Sequence, residues 1–590
     1  MAVTGKSKTF RGKLGKVTCP LLQTILFPKL LNLRNNEAVA MAAEQPVPVY
    51  TNLQDLYGSL GTSLDHITRW DNLAKEFQER FGKKPTYIAR APGRVNLIGE
   101  HIDYSLLGVL PAAIERDILI ACAPHDSTNS QKFASEGYRS PGSVIIENIH
   151  AKYTRQVFAP ARKAQGWDID INTKELRWES YVKAGYYGVL EDYFPPGTNE
   201  LPVPVDLLAT GTVPPGSGLS SSAALVVASS LAFLAINGKL DHHVHGFAST
   251  LHRLTKGELV RMAMANEKRV GVNSGGMDQA ASVISDPSSA LYISFYPSLY
   301  ASPVPLPTKA VFVCANSLVV SDKAVTAKHR YNLRVVESLV GAKILAKELG
   351  VAVGEREKIT FREVVGRFAG EETNGGNELI AEQLQETLEG VSKKIDILKP
   401  RQYRDSTDED DVRLGVTMDE MVEMSGLPRD VFREVYLSWV EVEATYFQLY
   451  KRAKHVLSES LRVLQFRQLC LDAASSGSAE SIVQPLGDLM NASQTSCCKF
   501  FDCSCPELDM LTELAREAGA YGSRLTGAGW GGCTVSLVAE DKVETFIAQM
   551  RKSYPPYREL DGDALNEVIF ATKPSSGACG MYNLSFVPWN

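Results

Sequence analysis

The chain has 590 residues, 44% hydrophobic and 22% charged, globular proportions with room for about two to four domains of ~100–200 residues. Its 62 Lys and Arg against 68 Asp and Glu leave a net charge of −6, without the basic excess of a dedicated nucleic-acid binder. Ten cysteines are too sparse for a secreted disulfide scaffold and read as reduced thiols of a cytoplasmic protein.

Residues 1–36 carry Lys6, Lys8, Arg11, Lys13, Lys16, Lys29 and Arg34 and no acidic residue, with apolar residues gathered between Leu14 and Leu33. That composition resembles an organelle transit peptide. The plainer reading is a disordered basic extension over residues 1–40, because the composition becomes ordinary at Met41. Ile67, Trp70, Leu73, Phe77 and Phe81 recur at helical spacing and predict an amphipathic helix over Asp65–Phe81.

Ala91–Tyr104 then packs Arg94, Asn96, Glu100, His101 and Asp103 around glycine breaks. Such a density of carboxylates with an imidazole suits a polyhydroxylated ligand, since Asp and Glu accept from hydroxyls and His does either; a plain surface loop is the alternative.

Val205–Thr212 reads as a strand, Pro214–Ser222 as a Gly/Ser loop and Ser222–Ile236 as an apolar helix. This order is that of a phosphate cradle, in which glycines let the backbone approach and the helix dipole favours an anion. A Ser-rich helix start with ordinary capping reads the same way. The loop lacks the Gly-Lys-Ser/Thr ending of a P-loop, so phosphate charge must be met by N–H groups, hydroxyls and a divalent cation. The helix itself, broken by Ser229 and Ser230, is short of the ~18–20 apolar residues that span a bilayer, and no membrane anchor is expected.

Leu259–Val270 predicts a helix ending near Asn266 and Glu267; a Gly-rich turn to Gly276 then presents Asp278 at the head of another helical run. His242, His243 and His245 read as a solvated loop. The Pro-rich stretch Tyr296–Pro307 suggests a joint near residue 305 between a domain over 41–305 and one over 306–590. Beyond it lie a strand from Ala310 to Val313, a helix from Tyr331 to Leu349 and an acidic, exposed loop near 404–411. Cys497, Cys498, Cys503 and Cys505 crowd together without the paired spacing of a structural zinc site. Gly527–Gly532 matches Gly-x-Gly-x-x-Gly, but the β-branched run Cys533–Val538 follows where a dinucleotide site needs a helix. It reads as a turn between strands, beside a ligand or purely structural. The irregular alternation of strands and helices predicts the α+β class.

Three of these segments together carry a resemblance. Gly-Arg-Val-Asn-Leu-Ile-Gly-Glu-His-Ile-Asp-Tyr (93–104) resembles the signature of galactokinases. Pro-Pro-Gly-Ser-Gly-Leu-Ser-Ser-Ser-Ala-Ala (214–224) and Thr-Gly-Ala-Gly-Trp-Gly-Gly-Cys (526–533) are similar to the second and third motifs of the galacto-, homoserine, mevalonate and phosphomevalonate (GHMP) kinases. Order and separation match from about Pro85 onward. His-Ile-Asp-Tyr, Gly-Gly-Met-Asp-Gln and Tyr-Asn-Leu-Arg-Val-Val-Glu look fungal.

The resemblance implies a two-domain fold, the first half like ribosomal-protein S5 domain 2 and the second an α/β sandwich, with the active site between them. It implies transfer of the ATP γ-phosphoryl group to the anomeric hydroxyl of galactose with Mg²⁺; the chain is expected to act as a monomer, and its charge and apolar runs point to neither nucleic acid nor membrane. Matched residue by residue, Asp278 falls on the catalytic base and Arg94 on its partner. Arg94, Glu100, His101, Asp103, Gly275, Asp278 and Tyr331 fall on galactose-binding positions. Gly216, Ser217, Gly218, Leu219, Ser220, Ser221 and Ser222 fall on the ATP loop, Trp178 on an adenine-site tryptophan, and Ser222 and Glu267 on the metal ligands. Some yeast relatives are galactose- and ATP-binding co-inducers that bind a galactose-pathway repressor and lack a Ser-Ala pair in the loop; here Ser222-Ala223-Ala224 is complete. N-acetylgalactosamine kinases share much of the pattern and are the enzymatic alternative.

Overall fold

The computed structural model describes residues 42–57, 64–125, 140–173, 175, 177–243, 251–271, 275–320, 326–372, 377–404, 415–477 and 481–582. The basic extension over 1–40, His245 and the acidic run from Asp405 to Asp411 lie outside the described residues.

A seven-stranded sheet organises the first lobe, in the spatial order Val49–Tyr50, Cys579–Tyr582, Tyr87–Ile98, Leu110–Pro124, Val205–Gly211, Val144–Asn148 and Gln156–Phe158. Side chains alternate across a strand, and both faces are buried. Leu119 and Ala121 meet Trp70, Leu73 and Phe77 of the Leu64–Phe81 helix. Ile118, Ile120 and Cys122, from the same strand, join the main core with the Ser221–Ile236 helix. That helix is apolar all round because it lies between the sheet and the Trp178–Tyr193 helix, with Phe233 stacked on Tyr186 at 3.9 Å and Ser230 Oγ donating to the Gly185 carbonyl at 3.2 Å. No helix among the described residues is long and apolar enough to cross a membrane.

A second sheet is antiparallel throughout, ordered Gly522–Thr526, Cys533–Ala539, Ala310–Asn316 and Ile569–Thr572. Val313, Val538 and Ile569 on its outer face pack with Phe546, Met550, Tyr554 and Tyr557. Long helices at Tyr331–Glu348 and Leu449–Ser476 join the two lobes, contributing Val336, Val340, Val456 and Leu457 to the main core.

Gly93, Arg94 and Asn96 do not lie in a loop, whereas Gly99, Glu100, His101 and Asp103 follow the end of the strand. Tyr87–Ile98 is one strand with all its residues buried, and it absorbs Pro92 and Gly93 through register shifts at Pro92/Arg94 and Asn96/Ile98. Such bulges re-aim side chains next to functional sites. The Pro-rich stretch is likewise paired: Tyr300–Pro305 forms a hairpin with Ser289–Ser294, where prolines are tolerated because a two-stranded ribbon leaves edges that need no N–H donor. Asp241–His243 pairs with Leu251–Arg253 rather than running as an open loop. Finally, Cys579–Tyr582 returns from the second lobe to sit between two strands of the first sheet.

Candidate active site

The Gly/Ser loop connects its strand to the Ser221–Ile236 helix as the sequence predicts. Ser220 precedes the helix with φ +60 and makes no side-chain capping bond; its buried Oγ has no partner in the protein. Elsewhere in the chain, Thr255, Thr360 and Thr417 each complete a capping box. The capping alternative for this Ser-rich start is therefore not realised, and its hydroxyl is spared for another acceptor or donor.

The second and third glycine-rich runs interlock. Gly218 has φ +76, and a Cβ there would stand 2.7 Å from the Thr526 carbonyl. Gly527, facing it, would collide with the Gly218 carbonyl. Cys533 N donates to the Ser217 carbonyl at 2.8 Å and fixes the hairpin against the loop. Leu219 fills the core while its carbonyl accepts from Arg94 N at 3.1 Å.

Arg94 links this loop to a carboxylate 184 residues away. Its Nε and Nη2 both approach Asp278 Oδ1, at 2.9 and 2.7 Å, and Nη1 donates to the Gly218 carbonyl at 2.6 Å. Asp278 sits in the first turn of the Met277–Ile284 helix, whose cap position is Gly276 with no side-chain capping bond. Asp103 lies close by: burial raises its carboxyl to about 6, and the like charge of Asp278 adds to the rise. Gly275 passes so near that a Cβ there would come within 2.5 Å of the Asp103 carboxyl, which no side chain could accept without moving it.

His101 has φ +60 and is nearly buried. Its Nε2 is 2.9 Å from the Ala528 carbonyl and Nδ1 3.3 Å from Tyr104 Oη. Tyr104, Tyr331, Phe501 and Trp530 surround the ring at 4.7 to 6.0 Å between centroids. Burial pushes the hydroxyls of Tyr104 and Tyr331 well above the ordinary range, with Asp103 adding to both, so both stay protonated. Glu100 is buried, accepting from Gly527 N at 2.6 Å on Oε1 and from Asn96 Nδ2 at 2.7 Å and Arg524 Nη1 at 2.8 Å on Oε2.

On the other side of the loop lies a cavity of about 1090 Å³, lined among others by Tyr153, Trp178, Tyr181, Gly216, Ser220 and Ser222. Tyr153 and Trp178 lie 5.6 Å apart between ring centroids, and the buried Trp178 Nε1 has no partner in the protein. An aromatic wall with an unspent donor, opening onto a glycine-rich loop, suits a nucleotide base and its phosphates. Glu267, buried at the end of its helix, accepts from Gln279 Nε2 at 2.5 Å, while Gln279 Oε1 is buried without a partner. Carboxylate and hydroxyl oxygens at Glu267 and Ser222, beside a loop without a lysine, are the hard donors that Mg²⁺ prefers.

Sequence reading missed several contributors. Arg524 and Gln279 are fully buried polar residues, a state that composition argues against. Phe501 and the Cys503 carbonyl, which accepts from Trp530 N at 2.7 Å, give the cysteine-rich segment a place behind the third motif. Tyr153 carried no local signal at all.

The comparisons with known proteins cover the same ground. A galactokinase galactose-binding signature matches residues 75–124, a GHMP kinases N terminal domain 180–286 and a GHMP kinases C terminal domain 478–556. The chain is 35% identical to a galactokinase of Dictyostelium discoideum over 547 residues, covering 90% of this chain and 97% of that one. It is also 35% identical to a galactokinase of Saccharomyces cerevisiae over 541 residues, 87% and 94% of the two chains. The structure of Lactococcus lactis galactokinase complexed with galactose shares the fold, with a TM-score of 0.55 at 22% identity over 86% of this chain and 99% of that one. Identity of that extent over nearly the whole length, with the signature falling on the strand that carries Arg94, places the chain in the galactokinase family of the GHMP kinases.

Proposed function

We infer that this chain transfers the γ-phosphoryl group of ATP to the anomeric hydroxyl of galactose, giving galactose 1-phosphate and ADP. The observation that carries the reading is the Arg94 bridge, which ties Asp278 to the Gly218 carbonyl of the phosphate loop.

A sugar hydroxyl is a weak nucleophile until a base takes its proton. Asp278 is that base, and Arg94 holds one of its carboxylate oxygens with Nε and Nη2. Galactose lies against Arg94, Glu100, His101, Asp103, Gly275 and Tyr331, with the carboxylates accepting from its hydroxyls. The nucleotide base enters the cavity at Trp178, and the phosphates lie along Gly216–Ser222. Phosphoryl transfer needs mainly positioning and charge stabilisation; Arg94 is placed to meet developing charge as well as to hold the base. Ser222 and Glu267 would hold Mg²⁺, which when bound neutralises phosphate charge.

The division of labour follows two domains, 41–305 and 306–590, with the Cys579–Tyr582 strand returning to the first sheet. The chain is proposed to act as a monomer, and the nine described cysteines are free thiols, which suits the reducing cytoplasm. An ADP-release assay across galactose, glucose, mannose and N-acetylgalactosamine tests the reading. Release with galactose and little with the others is expected. Preference for the N-acetylated sugar would reassign the substrate, and binding of sugar and ATP without ADP release would make the chain a sensor that signals to a repressor.

A further inference from the structure

Glu100 carries three protein hydrogen bonds, and two of them come from the other sheet. Gly527 N and Arg524 Nη1 both belong to the strand and turn of the third motif, whereas Asn96 and Glu100 belong to the first sheet's strand and the loop after it. A carboxylate offers about four lone-pair sites, so three are already taken by protein donors. Arg524 is fully buried. It also donates to the Asn96 carbonyl at 3.1 Å and to Ser493 Oγ at 3.0 Å, and Ser493 Oγ donates to Glu459 Oε1 at 2.6 Å. Glu459 Oε1 accepts in turn from Gly99 N at 2.9 Å, and His455 Nε2 is 3.0 Å from the Glu100 carbonyl.

The turn held in this way touches both substrate sides. Gly527 packs on the Gly218 carbonyl of the phosphate loop, and the Ala528 carbonyl meets His101 Nε2. We propose that Glu100 and Arg524 form a clasp between the two sheets that fixes the third glycine-rich turn, making Arg524 a positioning residue for phosphoryl transfer although it reaches no ligand. The inference deepens the kinase reading and rests on it for its kinetic consequences. Displacement by ~1 Å of groups that position reactants lowers rates by up to about 10²-fold, and truncating one half of a buried pair leaves the other charge uncompensated.

The test uses the full chain with Glu100→Gln, Arg524→Lys and the double variant, each checked for folding by its melting curve. Turnover, KM for each substrate, calorimetric ATP binding and hydrogen exchange of residues 522–532 are measured. Each single variant should lose turnover and ATP affinity together, about 10- to 100-fold in kcat/KM for ATP. Exchange at Gly527–Trp530 should accelerate, and the double variant should be scarcely worse than the poorer single, as coupled partners are. A Glu100→Gln enzyme with a raised galactose KM but normal ATP affinity and exchange, beside a near-normal Arg524→Lys, would make Glu100 a sugar contact only and overturn the clasp. If Arg524→Lys does not fold, Glu100→Gln decides by the same readouts. ATP binding and exchange need no turnover, so a wild-type chain that transfers no phosphate would defeat the kinase reading and leave the clasp to be judged on those two measurements.

Discussion

Asp278 is gripped on one oxygen by two nitrogens of Arg94, and Gly276 rather than Asp278 occupies the cap position of its helix. Asp278→Asn keeps the shape and removes the basicity. Turnover should fall about 10²–10⁴-fold with galactose and ATP affinities changed far less, as read by steady-state rates beside equilibrium binding. Turnover within a few-fold of wild type would remove Asp278 from proton transfer.

Asp103 gives a pH-dependent counterpart. Burial and then the Asp278 charge raise its carboxyl to about 6, against about 3.9 in an unfolded chain. A group raised on folding favours the native state when protonated; that contribution is fully present below about pH 4 and is lost as pH rises through about 6. Asp103→Asn carries no such penalty at neutral pH. The variant should therefore be more stable than wild type by up to about 2–3 kcal/mol at pH 7.5, and the advantage should vanish near pH 4, while turnover on galactose falls. Urea unfolding at the two pH values checks the sign, and an advantage that is absent at pH 7.5 or equal at both contradicts it.

At the scale of elements, the Gly/Ser loop is held by backbone contact with the 527–532 turn as well as by the Arg94 side chain on the Gly218 carbonyl. Gly218 and Gly216 separate the two reasons for glycine. Both have positive φ, +76 and +69, but a Cβ on Gly218 meets the Thr526 carbonyl at 2.7 Å, whereas one on Gly216 meets only Val320 Cγ1 at 3.5 Å. Gly216→Ala should cost the left-handed penalty alone, about 1–2 kcal/mol. Gly218→Ala adds a clash with backbone, so it should be clearly less stable than Gly216→Ala and should lose ATP affinity by tenfold or more, about 1.4 kcal/mol. Denaturant melts and nucleotide titration of the pair measure the difference, and equal behaviour would mean that the interlock does not set the loop. The apolar Ser221–Ile236 helix belongs to the same scale: covered by sheet and helix on opposite sides, it gives the loop a rigid base.

Across the whole molecule, the two lobes are one covalent circuit. The chain leaves the first sheet, builds the second, and returns to place Cys579–Tyr582 against the Tyr87–Ile98 strand. On the way, Ser575 Oγ, Ser576 O, Ser576 Oγ and Gly577 O accept from Arg90, which also pairs with Asp117 at 2.5 Å. A chain ending at Pro574 would strip those acceptors from a fully buried guanidinium and expose the strand that Met581 and Cys579 bury. It should fail to accumulate as folded protein. Calorimetry of the full chain should show the lobes unfolding in one transition, because the first sheet is not complete without a strand that follows the whole of the second. Two resolved transitions would contradict this.

What the amino-acid sequence determined by itself was whatever is written in short windows. The strand, Gly/Ser loop and helix through 205–236, the helix ending at Glu267, the hairpin turn at 527–532 and the amphipathic helix before Phe81 follow from periodicity and from glycines whose backbone freedom is a local property. The signature residues from Arg94 to Asp103 and Asp278 were legible as chemistry for the same reason. Tertiary structure alone decided which of them meet. Arg94 finds Asp278 across 184 residues, Arg524 is buried against a carboxylate of the other sheet, and Pro92 and Gly93 lie inside a strand because bulges and neighbouring strands accommodate them. Charge burial, bulge placement and the return of the last strand depend on partners distant in the chain, and no local pattern records a partner's identity.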